Sequence, residues 1–205
     1  MVSAMAMNWL MLAGFGGTVP PRLASASIPL GVSAAVWETV SGGTSLGVIE
    51  APEHPWVIAV EGNDLEVVGQ SLAGILEAAA PGAAATPERF EEIYRRDDAV
   101  NIASDDRDVF YARVQVREAV LEPLDHWYNT VHLPEVGAAG LRAGRRFRSR
   151  DAEHTFLALY RPDTLNVLRS EAIMAVRGLG GFENDVEQFS RLEARTVARC
   201  SGTLS

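Results

Sequence analysis

The apolar positions of this chain change period along its length, and the changes mark out its elements. From Val109 to Val116, β-branched and aromatic residues dominate in the manner of a strand, and Thr155 to Tyr160 is a short apolar run of the same kind. Leu141 to Ser149 forms another strand, divided from Thr155–Tyr160 by the polar turn Arg150-Asp151-Ala152-Glu153, and Glu187 to Ala198 forms the last. Between these runs the period lengthens. Leu124, Trp127, Val131 and Leu133 recur at helical spacing over Glu122–Leu133, and Ser170–Arg177 predicts a second helix ended by Gly178-Leu179-Gly180-Gly181. The order is strand, helix, two strands, helix, strand.

The same order is expected in the first half, because the chain repeats itself faintly at an offset of 99 residues. Val57-Ile58-Ala59-Val60 lines up with Phe156-Leu157-Ala158-Leu159, Ser71 with Ser170, Glu88 and Phe90 with Glu187 and Phe189, and Asn8–Gly17 with the strand at 107–116. A period this long implies a duplicated domain, not a solenoid. The expected units are residues 1–97 and 107–200, joined by the polar link Arg95–Asp108. The run Ala78–Thr86 reads as a loop from its proline and glycine.

Candidate chemistry concentrates in the second half. Asp125, Tyr128 or Asn129, His132 and Glu135 fall along one side of the Glu122–Leu133 helix, and Arg146 follows on the strand behind it. Pro134 disfavours helical backbone at the residue before it, so His132 is expected in the last turn. There the carbonyl end of the helix dipole would raise its basicity, with Asn129 and Tyr128 one turn back. Such an imidazole can move a proton as general acid or base. The structural alternative is that His132 only ties down a fraying helix end while Trp127 and Tyr128 belong to the core. At the offset of 99, His132, Asn129, Tyr128 and Arg146 face Ser33, Leu30, Pro29 and Gly47, so one site is expected, with Trp37, Glu38 and Trp56 of the first half as possible walls. His154 is a further candidate lining residue, although a histidine at a turn edge is more often exposed.

Composition narrows the chemistry. With 205 residues and 47% hydrophobic content the chain can bury a substantial core. Its net charge of −9 opposes a nucleic-acid role, and the arginine run from 142 to 150 is split between two strand faces, with Arg146 on one and Arg145 and Phe147 on the other. All 18 basic residues are arginine. Without lysine, Schiff-base, pyridoxal phosphate and P-loop chemistry are excluded. Arginine remains able to hold a carboxylate or enolate in its planar fork, and Arg146 is the first candidate. The single cysteine, Cys200, excludes an intrachain disulfide and cysteine-based clusters. His126 and His132 stand about 240° apart around a helix, so they do not form a shared metal site. No Gly-x-Gly-x-x-Gly pattern opens a helix after a strand, and no Cys-x-x-Cys-His sequence is present, so any haem, through His132 or His154, would be noncovalent. The apolar stretch from Ser3 to Phe15 lacks a positive leader and is too short for a membrane span; it reads as a buried first strand of a cytoplasmic protein.

Trp127-Tyr128-Asn129, two residues, then His132-Leu133-Pro134, with Gly144-Arg145-Arg146-Phe147 downstream, resembles the motif of EthD-like proteins in the dimeric α+β barrel superfamily. The resemblance covers mainly residues 108–199. It implies an α+β fold of two tandem ferredoxin-like βαββαβ repeats closing one barrel within the chain, where relatives close theirs by dimerising. It also implies a family of small lyases, isomerases, cyclases, decarboxylases and cofactor-free oxygenases, with a few haem proteins.

The expectation is then a cofactor-independent lyase or isomerase acting on a small oxygenated aromatic, polyketide-like or lactone substrate in the barrel cavity. His132 is the acid or base, Tyr128 and Asn129 orient the substrate, Arg146 stabilises negative charge, and Asp125 assists. Trp127, Phe147, His154, Trp37 and Trp56 line the cavity. A cofactor-free monooxygenase and a non-enzymatic ligand-binding barrel are the alternatives. The expected partner is a small molecule, not nucleic acid or membrane, and the chain is a pseudo-two-fold monomer or a homodimer.

Overall fold

The computed structural model describes residues 7–16, 23, 28–43, 54–79 and 86–202. Eight antiparallel strands close a barrel: β1 (Trp9–Phe15), β2 (Ser33–Gly43), β3 (Trp56–Gly62), β4 (Glu88–Arg95), β5 (Val109–Val116), β6 (Arg145–Ser149), β7 (Thr155–Tyr160) and β8 (Val186–Ser201). Around the barrel their order is β1-β3-β2-β8-β5-β7-β6-β4. Within it, β4-β1-β3-β2 and β8-β5-β7-β6 are the same four-strand arrangement twice, joined through β2–β8 and β4–β6. The fold is α+β, with two tandem ferredoxin-like repeats forming a pseudo-dimeric barrel in one chain. Helix α1 (Leu65–Ala79) belongs to the first repeat, and α2 (Leu121–Trp127), α3 (Leu133–Ala138) and α4 (Glu171–Val176) to the second.

β1 and β3 are apolar on nearly every residue because both faces are covered. Inward-facing Leu10, Leu12, Ala35, Trp37, Val57, Phe90, Phe147, Leu157 and Leu159 fill the barrel. Outward-facing Met11, Phe15, Val36, Ile58 and Val60 pack beneath Val68, Leu72 and Ile75 of α1. The corresponding outer layer of the second repeat holds Val114, Phe156, Ala158 and Tyr160 beneath Leu124, Tyr128, Leu133, Val136 and Ile173.

The duplication holds at the level of architecture, but its offset is not constant. Leu10 pairs with Phe90 and Leu12 with Ala59; in the second half, Val109 pairs with Ala194 and Tyr111 with Leu159. Matching Leu10 to Val109 and Leu12 to Tyr111, both 99 apart, sets β3 and β7 at 100 and β4 and β8 at 104. Ala35 opposite Ala59 and Arg145 opposite Leu159 set β2 and β6 at 110. A slip of one residue reverses the face of every side chain in a strand. The sequence match of Val57 to Phe156 therefore pairs an inward residue with an outward one. The true counterpart of Arg146 is Val36, not Gly47. Most of the first-half stretch that corresponds to α2 and α3, and most of the Ala78–Thr86 loop, lie outside the described residues.

One polar cluster crosses the barrel interior. Arg145, fully buried, donates from Nη1 to Glu61 at 2.6 Å and from Nε to Glu92 at 2.7 Å, tying β6 of the second repeat to β3 and β4 of the first. Removing one partner of such a network leaves an uncompensated buried charge. Among the described residues, no helix is long and apolar enough to cross a membrane.

Candidate functional site

The helix carrying the sequence cluster does not stop at Pro134. After α2 the backbone widens into a π turn over Tyr128–His132, where Leu133 N–H donates to Tyr128 O, and α3 continues to Ala138. In a regular helix the proline ring would collide with the carbonyl of Thr130. The wider turn makes room for it, and Thr130 Oγ1 bonds the His126 carbonyl at 2.7 Å. His132 and Leu133 keep helical dihedrals, so the proline restriction yields to the bulge. The helix ends at Gly140, in the left-handed region at φ +107°, with Leu141 N–H on Val136 O at 2.8 Å.

His132 therefore lies within a continuous helix and is only 7% exposed. Its ring stacks on Trp127 at 4.8 Å between centroids and meets the edge of Tyr128 at 4.7 Å. Burial, then the nearby Arg146 guanidinium, pulls its pKa down to about 4, opposite to the rise expected from a helix terminus. The imidazole is neutral at neutral pH. Its Nδ1 is buried with no hydrogen-bond partner among the described residues.

Arg146 is already engaged. Its Nη1 donates to Asp125 Oδ1 at 2.5 Å and Asn129 Oδ1 at 2.7 Å, and its guanidinium lies 4.5 Å from the Tyr128 ring centroid and 5.5 Å from that of Phe156. Asp125, Asn129 and Arg146 come together, but as a lock between helix and sheet. Tyr128 Oη stands 3.3 Å from Tyr160 Oη, and Phe110 stacks on Tyr160 at 5.9 Å. Burial raises the pKa of both phenols, that of Tyr160 well above its ordinary value.

The cavity beside these groups measures about 470 Å³ and lies between the outer face of β5, β7 and β8 and the helices of the second repeat. Tyr128, His132 and Tyr160 are its inner polar groups. Phe110, Leu141, Leu168, Ile173 and Phe189 supply apolar walls, and Arg169, Arg177, Arg191 and Glu193 also line it. This cavity lies outside the barrel and not inside it as expected; among the described residues, apolar side chains and the Arg145 cluster pack the interior.

Several expected lining residues move accordingly. Trp37 and Phe147 face the barrel core, while Trp56 lies in the outer layer of the first repeat. His154 sits on the turn before β7 at φ +52°, and Trp127 packs on Phe182 and against Gly180. A Cβ at Gly180 would lie 2.3 Å from the indole, and its φ of +64° also favours glycine. None of these five lines the cavity, and no first-repeat residue does. Tyr160 was legible as the outward partner of Leu157 and Leu159 in an alternating strand; the arginines on α4 and β8 carried no motif.

A second cavity, of about 640 Å³, is lined by Asn8, Glu61, Glu91, Glu92 and Arg95 among others. Glu61 and Glu92 are occupied by Arg145 and Arg95.

No family model and no curated relative matches the chain. Solved structures do. An anthrone oxidase-like protein is similar with a TM-score of 0.63 at 14% identity, over 97% of this chain and 94% of that one. A candidate monooxygenase of Fusobacterium nucleatum gives 0.61 at 8% identity, covering 96% and 95%. A chlorite dismutase mutant from Candidatus Nitrospira defluvii, in complex with cyanide, gives 0.59 at 9% identity, covering 96% and 93%. All three share the dimeric α+β barrel architecture. The fold is theirs.

Noncovalent haem is the cofactor that the fold leaves open, and the residues do not fit it well. A metal-bound histidine normally donates its second ring nitrogen to a carboxylate or carbonyl, whereas His132 Nδ1 has no such partner and the ring is packed against two aromatic neighbours. His154 is not among the residues that line the cavity.

Proposed function

We propose that this protein is a cofactor-independent enzyme that removes a proton from an activated carbon of a small, oxygenated, aromatic or polyketide-like compound, and that dioxygen then captures the carbanion. The observation that carries this reading is an apolar-walled cavity in which an unprotonated imidazole meets a pair of phenols. His132 accepts the proton. The buried imidazolium so formed is stabilised by the adjacent substrate anion, since opposite charges interact strongly away from water. The two tyrosines share one hydrogen bond, which leaves a second hydroxyl proton to donate to the developing enolate oxygen.

The choice among fates follows from what must leave. Dehydration needs a leaving hydroxyl within reach of the imidazolium formed on His132, since both phenols are held above the ordinary range. Attack of the carbanion on dioxygen needs no leaving group, and the imidazolium then protonates the peroxide. A CH2 group and O2 give a hydroperoxide, which loses water to leave a carbonyl. The names of two structural neighbours, monooxygenase and anthrone oxidase-like, support this choice. Isomerisation is the second reading, because the imidazolium can return its proton to another carbon.

With anthrone and related aromatic ketones, the wild-type chain should consume oxygen without added metal or flavin, and His132→Ala should lose roughly 10²–10⁴-fold in rate while keeping its fold. Product formed without oxygen uptake would select isomerisation. An undiminished rate in His132→Ala would overturn the assignment of the base.

A further inference from the structure

We infer that the arginine-lined part of the cavity is a carboxylate subsite, so that the substrate is an amphiphile with an aromatic body and an ionised acid group; this rests on reading the cavity as the substrate site. Arg169, Arg177 and Arg191 line the cavity against one carboxylate, that of Glu193. The chain as a whole carries −9, so this local excess of guanidinium runs against the charge of the molecule.

The three arginines are not equivalent. Arg169 is held by Glu193 at 2.8 Å and by the Leu165 carbonyl at 3.1 Å. Arg177 is exposed, and its guanidinium has no hydrogen-bond or ion-pair partner among the described residues. It follows α4 directly, its N–H tied to Ile173 O at 2.9 Å, just before Gly178 at φ +117°. A favourable contact with the helix end would account for one arginine there. It does not account for Arg191, which reaches the same cavity from β8.

Charge also decides which part of the cavity can receive an anion. Tyr128, Tyr160 and His132 are neutral, and the nearby Arg146 is committed to Asp125 and Asn129. A carboxylate placed among them would lose its hydration without gaining a free cation. Beside Arg177 it meets an uncommitted planar fork that can donate two parallel hydrogen bonds. Phe110, Leu141 and Phe189 then cover the ring system.

The test is fluorescence titration at low ionic strength with anthracene-2-carboxylate and its neutral analogue 2-(hydroxymethyl)anthracene. The wild-type chain should prefer the carboxylate by roughly tenfold or more, the worth of one charge-assisted hydrogen bond. Arg177→Gln should remove most of that preference and leave affinity for the alcohol unchanged. Arg148→Gln, at an exposed position outside the cavity, should change neither. Equal affinity of the wild type for both probes would overturn the subsite while leaving the cavity reading intact. A preference lost equally in Arg148→Gln would also overturn it, as an effect of net charge alone. If neither probe binds, the subsite and the substrate cavity fall together.

Discussion

The two outer layers of this barrel are built on the same strand order, yet among the described residues one is covered by a long helix and the other by short ones. In the first repeat, the β3–β4 connection is one helix of 15 residues, α1, which buries Val68, Leu72 and Ile75 on the sheet. In the second, the β7–β8 connection breaks at Ser170 into a 3₁₀ turn, Leu165–Arg169, and the six-residue α4, whose only buried residue is Ile173. The sheet beneath changes as well. Val36 and Val60 of the first layer become Arg146 and Tyr160 at the equivalent positions of the second. In the second layer a cavity accompanies a shorter helix and two polar side chains in the places of valines, with the barrel left alone.

This contrast can be broken most directly at the helices. Leu72→Ala, buried under α1, should cost about 2–5 kcal/mol, whereas Ile173→Ala, already bordering open space, should cost less than half as much and instead weaken binding of the anthracene probes. Urea denaturation measures the first effect and titration the second. Equal stability losses would mean that the second layer is as closed as the first.

Acid should separate the layers next. The pKa of His132 is about 4 in the folded chain and 6.5 when unperturbed, so between these values the unfolded state takes up the proton first. Its contribution is fully present above about pH 6.5 and is lost as pH falls toward 4, by on the order of 3 kcal/mol. Replacing His132 by Leu should flatten that limb of the stability–pH curve. An unchanged limb would show that other groups govern it.

Arg146→Leu sharpens the comparison further, since it brings the second layer nearer to the Val36 of the first. The loss of its bonds to Asp125 and Asn129 should cost about 1–3 kcal/mol. Asp125 is left close to water, with 44% of its side chain accessible, which limits the penalty. Tyr160→Phe should cost the least, about 0.5–1.5 kcal/mol for one hydrogen bond. Under the proposed mechanism it should still slow turnover, so an unchanged rate would remove Tyr160 from the enolate role.

Sequence reasoning found the strands of the second half, the tandem architecture and the faces of β6, because alternation reports directly on which side of a sheet a residue occupies. It also brought Tyr128 and His132 to one site. It misjudged Pro134, since a local steric rule cannot see a π turn that relieves the clash. It reversed the direction of the His132 shift because burial, which dominates, comes from residues 156–182 packing onto the helix. The constant offset of 99 failed for a similar reason: strand registers are set by loops of different length, and one extra residue turns a strand over. The arginines at the cavity were invisible because no spacing links residues 169, 177 and 191 before the chain folds.

The Arg145–Glu61–Glu92 network also constrains the pairing of the halves. Glu61 occupies in the first repeat the place that Arg161 holds in the second, and Ala35 the place of Arg145. Two second repeats closing on one another would bring Arg145 against Arg161, cation on cation in a dry interior, and two first repeats would leave Glu61 facing Ala35 with no countercharge. Only unlike halves satisfy the interior. A barrel built by doubling has in this way lost the ability to be assembled from identical copies, and fusion in one chain fixes the stoichiometry that its charges now demand.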